Sequence, residues 1–169
     1  MRPRFATLAA SLVVAAVCAG IPASSARAAA DDRDALTGLK EVKVAFDVKE
    51  GDGKALLGRL GIIDETRQSL VQQGITPHFV IAFRGPATKL VQSDMEKIKP
   101  EDRPMAVKIA AKLHDMSMAP GVDSVEQCAV AIRENGTSAE KVVPGVKVVG
   151  NAWISLMAYQ AKGYAYIAP

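Results

Sequence analysis

Cysteine and aromatic residues are scarce in this chain: two Cys, and 5% Phe, Trp and Tyr, among 169 residues. So few aromatics supply no base-stacking platform, and no basic stripe runs along the sequence, which excludes a nucleic-acid-binding protein. Cys-x-x-Cys, His-Glu-x-x-His and Gly-x-Ser-x-Gly are all absent, so metalloprotease and serine hydrolase chemistry lacks its carriers. The full G-x-G-x-x-G and Walker patterns are missing too, and Gly51-Asp-Gly53 reads as an ordinary turn. No cofactor and no resident metal are expected.

Charge of one sign is also lacking once the first 30 residues are set apart. Met1-Arg-Pro-Arg4 precedes an Ala/Leu/Val run from Phe5 to Ile21, and Ser24-Ser-Ala-Arg-Ala-Ala-Ala30 supplies small residues in an A-x-A arrangement. That order reads as a cleavable secretory signal peptide, with cleavage after Ala28 or Ala30 and a periplasmic or secreted product. The apolar run is too broken by small residues to anchor well, so no stable membrane insertion is expected after cleavage. A lipidated Cys18 fits poorly, with Val17 before it and Ala15 three positions upstream. Arg2, Arg4 and Arg27 are the only charged residues before Asp31, so without them Lys and Arg fall from 21 to 18 and equal the 18 Asp and Glu. Cys128 is then the only thiol, and an internal disulfide is impossible. The remainder, 31 to 169, forms one domain, large enough to bury roughly two thirds of its unfolded surface unaided.

What is present alternates in type. Val42-Lys-Val-Ala-Phe-Asp-Val48 is a predicted strand; residues 54 to 73 form a helix with Leu56, Leu60, Ile63 and Leu70 on one side, stopped by Gly74. The run His78-Phe-Val-Ile-Ala-Phe83 suits a strand buried on both faces, with His78 a satisfied core histidine. Residues 87 to 118 form a helical region interrupted near Pro100 and Pro104, its apolar face carried by Met105, Ile109, Leu113 and Met116. Strands follow at Val122 to Gln127, Val146 to Val149 and Tyr164 to Ile167. Between them lie helices at Ala129 to Asn135 and Ala152 to Lys162, the latter with Ile154, Met157, Ala158 and Ala161 on one face. This alternation predicts an α/β fold, a three-layer α/β/α sandwich around a mainly parallel five-stranded sheet.

Sites in such sheets form at the carboxyl ends of strands, where Arg84, Cys128, Asn151 and Trp153 fall. Cys128 stands where the third strand passes into a helix. Unsatisfied N–H groups at a helix start favour a sulfur anion, the form that acts as nucleophile or sulfur carrier, whereas Glu126 opposes it if close. Free cysteine is equally at home as a small buried hydrophobe. His114-Asp-Met-Ser-Met118 offers a second reading, an oligomeric module binding copper or a small ligand through His114, Met116, Met118 and Cys128. Asn135-Gly-Thr137 matches the glycosylation pattern, and Trp153 walls the site or packs.

Five segments, in order, carry a resemblance. They are Val44-Ala-Phe-Asp-Val-Lys-Glu-Gly51, Val80-Ile-Ala-Phe-Arg-Gly-Pro86, Gly121-Val-Asp-Ser-Val-Glu-Gln-Cys-Ala129, Val143-Pro-Gly-Val-Lys-Val-Val149 and Gln160-Ala-Lys-Gly-Tyr-Ala-Tyr-Ile-Ala-Pro169. From Val42 onward the chain resembles the DsrE/DsrF-like family (DsrEFH superfamily) of small sulfur-relay proteins. The resemblance implies a flavodoxin-like sandwich, a homo-oligomer (trimer or hexamer), and a persulfide carried on Cys128 between sulfur donor and acceptor proteins. Arg84 and Asn151, at neighbouring strand ends, are the candidates to stabilise the anionic persulfide. The leader departs from the cytoplasmic setting of the relay members.

Overall fold

Strand register places two kinds of side chain on the two faces of the sheet. The computed structural model describes residues 32–169; the expected leader lies outside the described residues. A short helix α1 (Arg33–Leu36) precedes β1 (Glu41–Val48), α2 (Gly53–Gln72) and β2 (Thr76–Phe83). Then come α3 (Arg103–Ser117), β3 (Val122–Cys128), α4 (Ala129–Glu134), β4 (Lys147–Val149), α5 (Ala152–Ala161) and β5 (Ala165–Ile167). The five strands form one parallel sheet in the order β4-β3-β2-β1-β5. With α2 and α3 on one face and α5 on the other, this is the three-layer α/β sandwich the alternation predicts, consistent with the flavodoxin-like fold that the resemblance implies. None of the described helices is long and apolar enough to cross a membrane.

Because successive strand residues point to opposite faces, Val44, Phe46, Phe79, Ile81 and Phe83 join Leu56, Leu60, Ile109 and Leu113 in the larger core cluster. The alternate residues Ala45, Val80, Ala82 and Cys128 face the other way, against Ala131, Ala152 and Leu156. Small side chains on both partners let α5 lie close to the sheet. Each fully buried Leu or Phe of the larger cluster contributes about 1.5–3 kcal/mol.

Connections from β1, β2 and β3 each step one strand onward, and right-handed crossovers then require one common face. The α2 and α3 helices lie there, as do Val142, Val143 and Val146 from the β3–β4 connection. The β4–β5 connection runs back across the whole sheet, so α5 takes the opposite face. Neighbouring connections therefore part company between the carboxyl ends of β3 and β4, the place where doubly wound sheets open a crevice.

α2 begins at Asp52, whose carboxylate accepts the Ala55 N–H at 2.7 Å. Gly51-Asp-Gly53 is thus a helix cap. A Cβ on Gly53 would lie 2.8 Å from the Cβ of Met105, so the glycine lets the start of α2 approach α3. Gly53→Ala is expected to destabilise by about 1–3 kcal/mol through overpacking; an unchanged urea midpoint would refute this close approach.

The region 87 to 118 differs from expectation. Gly85–Lys89 is a 3-10 turn, the following stretch is non-helical, and α3 starts only at Arg103. Pro104 lies in the first turn, where its missing N–H has no intrahelical acceptor to lose. Boundaries elsewhere move by one or two residues. On α5 the expected face points outward: Leu156 and Ala152 are buried, while Ile154 and Met157 are 63% and 60% exposed. A helix apolar on all sides gives periodicity nothing to choose between, and Ser155 and Tyr159 decide the orientation by reaching Glu126.

Candidate functional site

Cys128 ends β3 and sits beside the start of α5. It is 4% exposed, at the base of a crevice of about 180 Å³ lined by Arg84, Gly85, Val130, Glu134, Asn151 and Trp153. The Ala152 N–H, first in α5, donates to Cys128 Sγ at 3.3 Å. Asn151 caps the same helix, its Oδ1 accepting the Trp153 N–H at 2.9 Å. The sulfur is thereby one of the acceptors at the start of α5, where the helix dipole favours negative charge. Asn151 acts by setting that helix start, with its oxygen already engaged. Asn135, the Asn of the glycosylation pattern, donates from Nδ2 to Ala131 O at 2.8 Å and Gly85 O at 3.2 Å, joining α4 to the segment after β2.

Arg84 reaches the crevice but is clamped. Its Nε and Nη2 donate to the two carboxylate oxygens of Asp47 at 2.7 and 2.6 Å, a bidentate pair. Tyr166 from β5 adds a third bond to Asp47 at 2.6 Å. Asp47 is 1% exposed. Burial alone would raise its carboxyl, but the bonds from Arg84 and Tyr166 and the Arg84 and Lys49 charges hold it below the usual carboxylate range. Trp153, 61% exposed, lies beside the Arg84 guanidinium, whose Cζ is 5.6 Å from the ring centroid. Arg84, Asp47, Trp153 and Tyr166 also line an adjoining depression of about 280 Å³. All four predicted site residues thus meet at one strand-end crevice. The Asp47 and Tyr166 partners of Arg84 are additions to that reading, signalled only by a carboxylate inside the buried stretch Val44-Ala-Phe-Asp-Val48.

Glu126 is close in sequence yet fully engaged. It is 2% exposed and accepts from Ser124 Oγ at 3.0 Å, Tyr159 OH at 3.1 Å and Ser155 Oγ. These bonds dock α5 onto β3 and so help to place the Ala152 amide at the sulfur. His78 is half-buried rather than core, its Nδ1 lying 3.2 Å from Asp123 Oδ1. Asp123 also accepts from Tyr164 OH at 2.6 Å.

Each of the three tyrosines therefore donates to a carboxylate. Burial, then the Asp123 bond and charge, pushes Tyr164 up to about 12. Burial and Glu126 raise Tyr159, and the bond to Asp47 followed by burial raises Tyr166. Raised values mean that this stabilisation is present below the ordinary value of 10.0 and is lost as pH climbs through the folded values. Tyrosinate absorbance should then stay low at pH 10.0 in the native protein and develop later than after urea unfolding. Coincident native and unfolded titrations would rule out these contacts.

The copper set is not brought together. Met116 is buried in the cluster under α2 and α3, Cys128 belongs to the cluster on the opposite face, and His114 and Met118 are exposed. Among the described residues, no group of three or more His, Cys, Asp or Glu side chains could hold a metal ion.

No family model matches the chain. A protein of Aquifex aeolicus (strain VF5), described only as uncharacterized, is 32% identical over 126 residues, which is 75% of this chain and 55% of that protein. The chain thus spans about half the length of the curated relative it matches. Among solved structures, a protein of unknown function from Methanobacterium thermoautotrophicum superposes with a TM-score of 0.59 at 18% identity, covering 76% of this chain and 99% of its own. That likeness bears on the fold alone.

Proposed function

We propose that this protein is an exported sulfur carrier of the DsrE/DsrF-like kind, in which Cys128 holds sulfane sulfur as a persulfide and hands it to a partner. The observation that supports this most is the Ala152 N–H aimed at Cys128 Sγ within a crevice open to solvent. A donated N–H is stronger toward a sulfur anion than toward a neutral thiol. The contact puts a hydrogen-bond donor where a persulfide on Cys128 would carry its charge.

In the loading step the Cys128 thiolate attacks the outer sulfur of a donor persulfide, R–S–SH. A sulfur–sulfur bond forms to Cys128, the donor's sulfur–sulfur bond breaks, and R–S⁻ leaves with the electron pair. No net oxidation occurs, and attack by an acceptor thiolate reverses the step. Arg84 faces the anion with its charge largely offset by Asp47, which leaves the sulfur transferable rather than trapped. Trp153 walls the opening.

The exposed apolar Trp153, Ile154 and Met157 on α5 support assembly of copies into the trimer or hexamer that the resemblance implies. Copper binding receives no such support, because its ligand set is divided between the two faces of the sheet.

The test is an intact-mass spectrum before and after exposure to polysulfide, then after a reductant. Gain of one or more sulfur atoms, removed by the reductant, is the expected result. An unchanged mass under conditions that load a free thiol peptide would end this reading.

A further inference from the structure

The crevice above Cys128 holds two opposite charges that do not pair with each other. Arg84 and Glu134 both line it, yet among the described residues no salt bridge joins them. Asp47 takes up Nε and Nη2 of Arg84, and Nη1 has no hydrogen bond among the described residues. The guanidinium is planar with its donors in a fixed fork, so the N–H groups of Nη1 point away from the edge that Asp47 occupies. Glu134, the last residue of α4, is exposed, and its carboxylate has neither an ion pair nor a hydrogen bond among the described residues.

A crevice with a thiol at its base, an uncommitted donor on one wall and an uncommitted carboxylate on another complements a small molecule that carries a sulfur, a carboxylate and an ammonium. At about 30 Å³ per water, its 180 Å³ holds about six water-sized groups. That is enough for one amino acid and too little for a tripeptide thiol, whose other residues would lie outside. In cysteine the sulfur is one carbon away from the atom that bears both charged groups, so a molecule of that size meets Cys128 and both charged walls at once.

We propose that the thiol exchanging sulfur with Cys128 is a small zwitterionic aminothiol of the cysteine type, its carboxylate accepting from Arg84 Nη1 and its ammonium facing Glu134. This rests on the persulfide reading of Cys128 and names the chemistry of its exchange partner. In the unloading step the cysteine thiolate attacks the outer sulfur of the Cys128 persulfide. A sulfur–sulfur bond forms on cysteine, the bond to Cys128 breaks, and Cys128 leaves as the thiolate with the electron pair, with no net oxidation.

The test loads the purified protein with polysulfide, removes the excess, and adds cysteine, cysteamine or 3-mercaptopropionate while intact mass follows loss of the added sulfur. Each rate is divided by that of the same thiol with a persulfidated peptide, which removes differences in thiol basicity. Cysteine should exceed cysteamine, which lacks the carboxylate, about tenfold, and 3-mercaptopropionate, which lacks the ammonium, about three- to fivefold. Glu134→Gln, at an exposed position, should slow cysteine and cysteamine about three- to fivefold and leave 3-mercaptopropionate unchanged. Glu134→Lys should turn the preference toward 3-mercaptopropionate. Equal normalised rates for the three thiols, or a Glu134→Gln effect shared by all of them, would overturn this inference and leave the carrier reading standing. A protein that polysulfide never loads would overturn both.

Discussion

Cys128→Ser is expected to abolish the proposed sulfur loading: after polysulfide treatment the variant should keep its untreated mass, while the parent should gain sulfur that a reductant removes. The whole signal is expected to vanish, because the attacking atom is replaced by a hydroxyl that forms no persulfide. Stability should change by only about 1 kcal/mol, since a serine oxygen can accept the same Ala152 N–H that the sulfur accepts now. Circular dichroism and a urea titration separate lost chemistry from lost fold. A variant that still loads would show that the sulfur resides elsewhere, and the proposed carrier role of Cys128 would fall with it.

Asp47→Asn should lower stability by about 3 kcal/mol at neutral pH. It breaks the bidentate pair with Arg84 and replaces a carboxylate that accepts three bonds by an amide that brings donors of its own. Breaking a buried ion pair from one side is strongly destabilising because the remaining charge stays desolvated; the lower end of that range applies because Arg84 keeps 21% of its side chain exposed. The folded Asp47 carboxyl is depressed, so its stabilisation is present above the ordinary value of 3.8 and is lost as pH falls through the lower, folded value. The gap between parent and variant should therefore narrow below pH 3.8. Replacing both partners by Leu should recover much of the loss, since neither charge is then left buried alone. Equal urea midpoints for parent and Asp47→Asn at neutral pH would show that the pair contributes nothing to the fold.

Local pattern makes most elements legible. The apolar runs around Phe46 and Ile81 announce buried strands, and the spacing of Leu56, Leu60 and Ile63 announces α2. Pro104 misleads because the same ring that breaks a helix interior is welcome in its first turn, and nothing local distinguishes the two before the cap is known. The outward face of α5 is illegible for a related reason: its orientation depends on Glu126, a residue on another element. At the site, strand ends place Arg84, Cys128, Asn151 and Trp153 together without side-chain detail. What the pattern does not supply is the partner of each charge. Asp47 meets Arg84 through the parallel register of β1 and β2, and meets Tyr166 only because β5 returns beside β1. A carboxylate within Val-Ala-Phe-Asp-Val is the available signal, since a charge in a buried strand requires a counterpart.

The place of β5 also bears on when the molecule can become complete. Among the described residues the last strand pairs with the first, Val44 with Ala165 and Phe46 with Ile167. Until residue 167 has been made, that side of β1 presents unpaired backbone groups, and Asp47 waits for the Tyr166 hydroxyl. Closing a loop of about 120 residues is among the slower steps a small domain can require. The side of β1 away from β2 therefore stays open until β5, the described strand most distant from it in sequence, has been made and brought back beside it.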